Sequence, residues 1–511
     1  MKKMLLLMVV GVACGHAPAA PPSTNRPNVI VFLVDDMGVM DTSVPMLTDE
    51  RGQAQRYPLN DYYRTPGMQR LAARGIRFSQ FYAQSVCSPT RVSIMTGQNA
   101  TRHRTTNWIN PFQDNRGPHG PREWNWTGLK KGDVTLPSLL QAAGYRTMHI
   151  GKAHFGPGGS AGADPENLGF DVNIGGDCWG HPKSYYAEDH YGNHPKYPKP
   201  THNVPDLEKY HGSQTFLTEA LTLEAKEQIQ KSVAEKKPFF LHLAHYAVHA
   251  PFQFDPRFKS HYQKSDKSPR AQAFATLIEG IDKSLGDILD QLEGLGIAEQ
   301  TLVIFLGDNG SDAPLGGTHA VACAAPLRGK KGTHYEGGMR VPFLAAWAKR
   351  NEAHPAQQQL PIAAGAVQTQ LGTVMDIYPT VLELAGVANP AGHVLDGASL
   401  KTLLAGNPDA SRKEMFLMHY PHNHRSSWFT SYRLGRWKVV YHYHPHRPAK
   451  PRYELFDLER DPFEQHDQSA ENPARLATMV QAMIEQLESE GALWPESADA
   501  RPLQPVVPPG K

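Results

Sequence analysis

Two runs of apolar residues, Asn28–Val34 (NVIVFLV) and Thr301–Leu306 (TLVIFL), constrain this chain more than any other feature. Each has the length of one strand and no polar alternation, which is how a strand buried on both faces reads. Each ends at or beside an adjacent pair of oxygen-bearing residues, Asp35-Asp36 and Asp308-Asn309. Helical stretches lie between the two runs, at Leu136–Ala143, Phe216–Lys231 and Ala271–Leu295, the last with apolar positions at helical spacing. Strands alternating with helices predict an α/β fold, a mostly parallel central sheet covered on both faces, with its chemistry in loops at the carboxyl ends of the strands. Four oxygen ligands delivered in two adjacent pairs, each closing a buried strand, suit a hard divalent cation.

With 511 residues the chain can organise one large α/β domain, placed at 28–405, and a smaller one at 406–500. Ile377–Val387 reads as one more helix, and Asp396-Gly397 as a turn leading to Leu400–Leu404. From about residue 412 the character changes. Met415–His419, Trp437–Tyr443 and Tyr453–Leu458 read as short strands and Ala474–Ser489 as a helix, together a small antiparallel sheet with one helix. The Pro-rich tail at 501–511 is expected to be disordered or laid on the surface.

Met1-Lys2-Lys3 followed by the apolar run Met4–Ala13 has the form of a secretory signal, placed at 1–20, with a Pro- and Ala-rich linker at 21–27. The run is too short to span a bilayer, so an exported protein is expected, periplasmic, extracellular or held to the envelope. Cys14, between Val12-Ala13 and Gly15, fits a lipoprotein processing site that would supply a lipid anchor; cleavage near Ala17–Ala20 is the alternative. Lysine and arginine total 52 against 50 acidic residues, which gives no reason to invoke nucleic acid or a charged membrane surface and makes any anion recognition local. Of the four cysteines, Cys178 and Cys323 either pair in an oxidising compartment or stay as buried thiols.

Five segments carry chemistry-bearing residues. The first is Cys87-Ser88-Pro89-Thr90-Arg91, continuing as Val92-Ser93-Ile94-Met95-Thr96-Gly97. The second is the run from Gly144 through Lys152-Ala153-His154 to Gly156; on a strand, Lys152 and His154 would share one face. His149 should face elsewhere and reads as structural. The third is His249-Ala250-Pro251, and the fourth is Leu327-Arg328-Gly329-Lys330-Lys331-Gly332-Thr333, running into Tyr335–Pro342. The fifth is Tyr453–Leu458 with Asp461-Pro462. Taken singly, Cys-x-Pro-x-Arg is a cysteine before a turn proline; taken in this order, the segments resemble type I sulfatases of the alkaline phosphatase superfamily from about Pro27 to Asp461. Ala153 stands where many members have Trp.

The resemblance implies an alkaline-phosphatase-like fold and a sulfate ester hydrolase. Cys87 would be oxidised to formylglycine by a transient maturation enzyme. The hydrated aldehyde offers two hydroxyls, one to attack sulfur and one to regenerate the carbonyl and expel sulfate, a release that serine cannot perform. One Ca2+ ion would be held by Asp35, Asp36, Asp308, Asn309 and the converted Cys87, offsetting the sulfate charge. Lys152 would contact the sulfate or formylglycine and Lys331 would clamp the sulfate; Lys330 is an adjacent alternative to Lys331 or a solvated side chain. His154 would take the proton during sulfate release and His249 would serve the leaving group, with the acid and base division between them open. Arg91 is expected to brace the nucleophile loop through several oxygens at once. Ser88 and Thr90 are read as local hydrogen-bonding residues.

For substrate, the details around Arg102–Trp108 and His422-Asn423-His424-Arg425 are similar to bacterial carbohydrate sulfatases. They suggest exo action on galactose- or N-acetylgalactosamine-type sulfates. His422, His424 and Arg425 either contact sugar or belong to a surface loop. The rival readings are a broad arylsulfatase, a phosphodiesterase or phosphonate hydrolase of the same superfamily, and a silent glycan binder. The last should lack a nucleophile or metal ligand, and none is missing.

Overall fold

The computed structural model describes residues 26–197, 201–446 and 452–510; the expected signal, Cys14 and most of the linker lie outside the described residues. Its strands in chain order are β1 (Asn28–Val34), β2 (Ile76–Phe78), β3 (Phe81–Tyr82), β4 (Arg146–Gly151), β5 (Val172–Ile174), β6 (Phe239–His245), β7 (Thr301–Gly307), β8 (Phe343–Trp347), β9 (Ala366–Gln368), β10 (Gly372–Thr373), β11 (Met415–Tyr420), β12 (Phe429–Leu434), β13 (Trp437–His442) and β14 (Arg452–Asp457). Eight of them form the central sheet, in the order β5-β4-β6-β1-β7-β8-β2-β9. Only β8 runs against its neighbours, so the expected mostly parallel α/β sheet is what the chain builds.

The lack of alternation in β1 has a direct cause. Ile30, Phe32 and Val34 pack into a core on one face, while Val29, Val31 and Leu33 pack into a second core on the other. Helices Leu217–Ala234 and Pro269–Gly294 cover the first face through residues such as Leu221, Ile281 and Leu285. Helices Leu136–Ala142 and Ile377–Ala385 cover the second through Leu140 and Val381. Each such fully buried side chain contributes about 1.5–3 kcal/mol. Truncating Phe32, which stacks on Phe305 with ring centroids 5.3 Å apart, should cost about 3–5 kcal/mol.

Register then decides where the polar pairs emerge. β1 and β7 are parallel neighbours with Val34 opposite Gly307, so Asp35-Asp36 and Asp308-Asn309 leave the sheet side by side at its carboxyl end. β4 and β6 end at the same level, with Gly151 opposite Ala244. Gly151 is required there: its φ is +100°, and a Cβ would lie 2.0 Å from the carbonyl oxygen of Ala244.

The C-terminal segment forms a four-stranded antiparallel sheet, β11-β12-β13-β14, with helix Pro473–Ser489 on its outer face. Leu417, Tyr432, Val439 and Leu455 pack on Leu476, Val480 and Met483 of that helix. Phe416, Met418, Val440 and Phe456 pack against the main core instead. β12 is the strand the pattern does not suggest. Its Thr430, Ser431 and Arg433 are all buried, so polar residues mask the period-two signal on a strand covered on both sides. The tail lies on the surface, where Tyr453 Oη donates to the Val506 carbonyl at 2.8 Å. Among the described residues, Cys178 and Cys323 are buried free thiols, which closes the pairing alternative. No helix among the described residues is long and apolar enough to cross a membrane.

Candidate active site

The two acidic pairs form one buried cluster. Asp35, Asp36, Asp308 and Asn309 are all fully buried. Asp36 takes a left-handed turn (φ 61°) that folds the chain back after β1. Its N–H donates to Asp308 Oδ1 at 3.0 Å, and Asn309 Nδ2 donates to Asp36 Oδ1 at 2.9 Å. Carboxylate oxygens of Asp35, Asp36 and Asp308 lie within 4.8 Å of one another. Asp35 Oδ1 and Asn309 Oδ1 are buried acceptors without a hydrogen-bond donor. Burial pushes the Asp35 carboxyl up; Lys152 opposes this, while Asp308 and Asp36 add to it. Converging oxygens, two of them unsatisfied, fit a hard divalent cation such as Ca2+.

Cys87 is the first residue of helix Cys87–Thr96 and is 3% exposed. Its Sγ lies 3.3 Å from His154 Nδ1. His154 Nε2 is 2.7 Å from the Ile109 carbonyl, which can only accept, so Nε2 carries the proton and Nδ1 turns a lone pair toward Cys87. Burial, then Lys152 and Arg91, holds the His154 pKa well below its usual value. The ring is therefore neutral, with the Nδ1 lone pair turned to Cys87.

Arg91 does what its motif position predicts. Nε and Nη2 donate to Asp308 Oδ2 at 3.0 and 2.8 Å, and Nη1 donates to the Lys152 carbonyl at 2.7 Å. One guanidinium thus ties the nucleophile helix to the ends of β7 and β4. Ser88 Oγ accepts from the Ile109 N–H at 3.1 Å and so holds the loop whose carbonyl orients His154. Thr90 Oγ1 accepts from the Gln84 N–H.

Lys152 Nζ reaches Asp35 Oδ2 at 2.7 Å. Lys331 Nζ reaches Asp36 Oδ1 at 2.6 Å. Burial alone would lower the Lys331 pKa, but Asp36 and other nearby negative groups raise it above the usual lysine range. Lys330 pairs with Asp312 at 2.9 Å and is 12% exposed, so it is not a solvated side chain. His249 follows β6, with Nε2 3.5 Å from Asp36 Oδ2 and Nδ1 2.8 Å from the Ala250 carbonyl. Burial and Lys331 lower its pKa, with Asp36 opposing.

Two expectations need correction. Lys152 and His154 do not share a strand face: β4 ends at Gly151 and His154 has a φ of 57°. They converge because the chain turns out of the sheet, with Lys152 N–H on the Ala244 carbonyl and His154 N–H on the Asp177 carbonyl. His422 does not offer a free ring to a sugar. It is fully buried, with Nε2 2.8 Å from Thr106 Oγ1 and Nδ1 3.2 Å from the Arg116 carbonyl. His424 and Arg425 are partly exposed, and Arg425 lines a cavity with Lys330 and Asp312. Arg425 forks onto both oxygens of Asp312 at 2.6 and 2.8 Å. His149 is buried against His242, Nδ1 to Nδ1 at 3.0 Å, as a structural residue.

Several contributors carry no motif signal. Tyr185 Oη donates to the His249 carbonyl at 2.7 Å. A Cβ on Gly180 would meet the His154 ring at 2.9 Å. The His181 ring stacks on His249, centroids 5.2 Å apart and 8° from parallel, and His202 stacks on His181 at 4.1 Å. Only the local density of histidines in that stretch hinted at them.

A buried thiol beside a neutral imidazole, two lysines and an oxygen cluster meet at the carboxyl ends of a mostly parallel sheet, an arrangement suited to hydrolysis of anionic esters. The family model described as Sulfatase matches residues 27–387, and one described as N-sulphoglucosamine sulphohydrolase, C-terminal, matches residues 330–491. The N-acetylgalactosamine-6-sulfatase of Mus musculus is 32% identical over 421 residues, covering 79% of this chain and 70% of the mouse protein. A sulfatase of Formosa agariphila is 26% identical, over 93% of this chain and 90% of its own. The crystal structure of Ps i-CgsB superposes with a TM-score of 0.70 at 25% identity, covering 91% and 93% of the two chains. The chain belongs to the sulfatase family and is a sulfuric ester hydrolase.

Proposed function

We propose that this enzyme is an exported sulfatase that removes sulfate from terminal galactose- or N-acetylgalactosamine-type sugars, using formylglycine made from Cys87 by a maturation enzyme, and one Ca2+ ion. The observation that carries the mechanism is the 3.3 Å approach of the Cys87 side chain to the lone pair of a neutral His154. Formylglycine and Ca2+, when present, supply respectively a nucleophile able to release sulfate and Lewis-acid stabilisation of the sulfuryl oxygens. Asp35, Asp36, Asp308 and Asn309 would hold the ion.

Lys152 and Lys331 pair with the adjacent carboxylates Asp35 and Asp36 and would offer two ammonium groups to a bound sulfate. Arg91 fixes the nucleophile helix and stays off the substrate. His154 accepts a proton at Nδ1, while the Ile109 carbonyl keeps that lone pair aimed at residue 87. His249 serves the leaving oxygen from Nε2, since Nδ1 is committed to the Ala250 carbonyl. Burial first and then the Lys331 charge hold the His249 pKa down, and an anionic ester between the lysines would offset the second of these.

The mouse relative's activity toward an N-acetylgalactosamine 6-sulfate supports the sugar class. A cavity of ≈ 480 Å³ lined by Ala250, Phe252, Arg270, Asp312, Lys330 and Arg425 gives a sugar room next to Ala250, the residue after His249. Desulfation of N-acetylgalactosamine 6-sulfate and galactose 6-sulfate tests the substrate; turnover of a nitrophenyl sulfate with none of any sulfated saccharide would sink the sugar reading. Mass spectrometry of the Cys87 peptide from the native host tests the nucleophile, and an unconverted thiol overturns it.

A further inference from the structure

We propose that His334, His442 and Glu454 form a second metal site, selective for a first-row divalent transition-metal ion and separate from the oxygen cluster. His334 lies three residues beyond Lys331, while His442 and Glu454 lie on β13 and β14 of the C-terminal sheet. In that antiparallel pair His442 faces Arg452 and Val440 faces Glu454, so His442 and Glu454 are diagonal neighbours on one sheet face. Glu454 Oε2 lies 2.9 Å from His442 Nε2 and 3.2 Å from His334 Nε2. The two rings stand at 88° to each other with centroids 4.7 Å apart, and one donor atom from each of the three residues falls within 4.8 Å of the others. Ligands about 2.0–2.1 Å from a tetrahedral ion lie roughly 3.3 Å from each other.

His334 Nε2 is buried and faces Glu454 Oε2 at 3.2 Å. The His334 side chain is 6% exposed, and its other nitrogen is held by Ser426 Oγ at 3.1 Å, which fixes the ring with Nε2 aimed at the cluster. Glu454 is oriented in the same way. Its other oxygen, Oε1, takes Arg452 Nη2 at 3.1 Å and Tyr335 Oη at 3.4 Å, leaving Oε2 for the imidazoles. Outer contacts of this kind orient metal ligands. The nearby cation Lys438 is already neutralised by Glu336 and Glu464.

Two imidazoles and one carboxylate select zinc-like ions over calcium, whereas the oxygen cluster does the opposite. A pocket of ≈ 380 Å³, lined by His319, Arg328 and His442 among others, opens onto the site and gives an ion a way in. A bound ion would clip the segment carrying Lys331 to β13 and β14. The test uses the full-length protein in calcium buffer after treatment with a nitrogen-donor chelator, titrated with Zn2+ by calorimetry and with Co2+ by visible absorption. One saturable equivalent is expected, with the intense bands of a low-coordinate, nitrogen-ligated Co2+ ion and a raised thermal midpoint. His442→Ala and Glu454→Gln should each weaken binding by about 100-fold or more, and Asp308→Asn should leave it intact. Absence of saturable uptake overturns the proposal, as does uptake unaltered in both variants, which would assign the ion to other histidines. Should the variants fail to fold, a Co2+ spectrum of the native chain without nitrogen ligation overturns it alone.

Discussion

The oxygen cluster of the central sheet and the nitrogen-bearing cluster of the C-terminal sheet differ first in how they are assembled. The oxygen cluster takes its ligands as adjacent pairs from the ends of two neighbouring parallel strands, and β1–β7 register alone brings them together. The His334, His442 and Glu454 cluster takes single residues from three segments, and it exists only because the small sheet docks on the loop after Lys331. Parallel strands deliver all their carboxyl ends to one edge, so they concentrate a site; an antiparallel sheet spreads its faces and builds a site only against something else. The donor chemistry follows the same division, oxygen for a hard cation in the first and imidazole for a softer one in the second.

The largest effect should come from the nucleophile. Cys87→Ala is expected to reduce kcat by about a millionfold, as loss of a covalent nucleophile does, with native circular dichroism; residual activity near the native level would separate catalysis from the cysteine. His154→Ala should cost about 10²–10⁴ in kcat, and His154→Gln should not restore it, because the amide cannot accept a proton at this site. Sulfate release measured in a single turnover checks this.

Arg91→Met is expected to destabilise the fold by about 3–5 kcal/mol, because it leaves Asp308 and Asp35 buried without their guanidinium. Denaturant unfolding at saturating calcium reads it, and a smaller loss with calcium than without would show that the ion shares the same carboxylates. Acid should weaken the central sheet over a defined window. His149 and His245 are held by burial at about 3, and burial also lowers His242 well below its usual value. The unfolded chain binds protons at these positions from about pH 6.5 downward, while the folded one refuses them. Their stabilisation is therefore complete above about pH 6.5 and falls by up to about 1.4 kcal/mol per pH unit per histidine toward pH 3. A stability curve flat from pH 7 to 4 would contradict it.

The smallest effect tests the cavity. Arg425→Ala should raise KM for a sulfated saccharide by about tenfold, the loss of one charge-assisted contact, and leave KM for an aryl sulfate nearly unchanged. His422→Gln should leave both KM values alone and lower stability instead, since that ring is buried between Thr106 and Arg116.

Residue order alone determined two of the eight central strands, β1 and β7, the covering helices, the two acidic pairs and the nucleophile motif. These are local in the chain: an apolar run of strand length, rich in β-branched and aromatic residues, reads as a strand covered on both faces, and ligand types at its end need only that strand to be placed. The same locality explains what escaped notice. β12 hides its period behind buried Thr430, Ser431 and Arg433, which are satisfied only by neighbours from elsewhere in the fold. Tertiary structure alone decided that Lys152 and His154 meet by leaving the strand, that His422 is internal while Arg425 lines a cavity, and that the Ile109 carbonyl sets the His154 tautomer. It alone brought His334 to His442 and Glu454. Each of these depends on an angle or a contact between distant segments, and spacing along a chain does not encode the direction in which a buried side chain finds its partner.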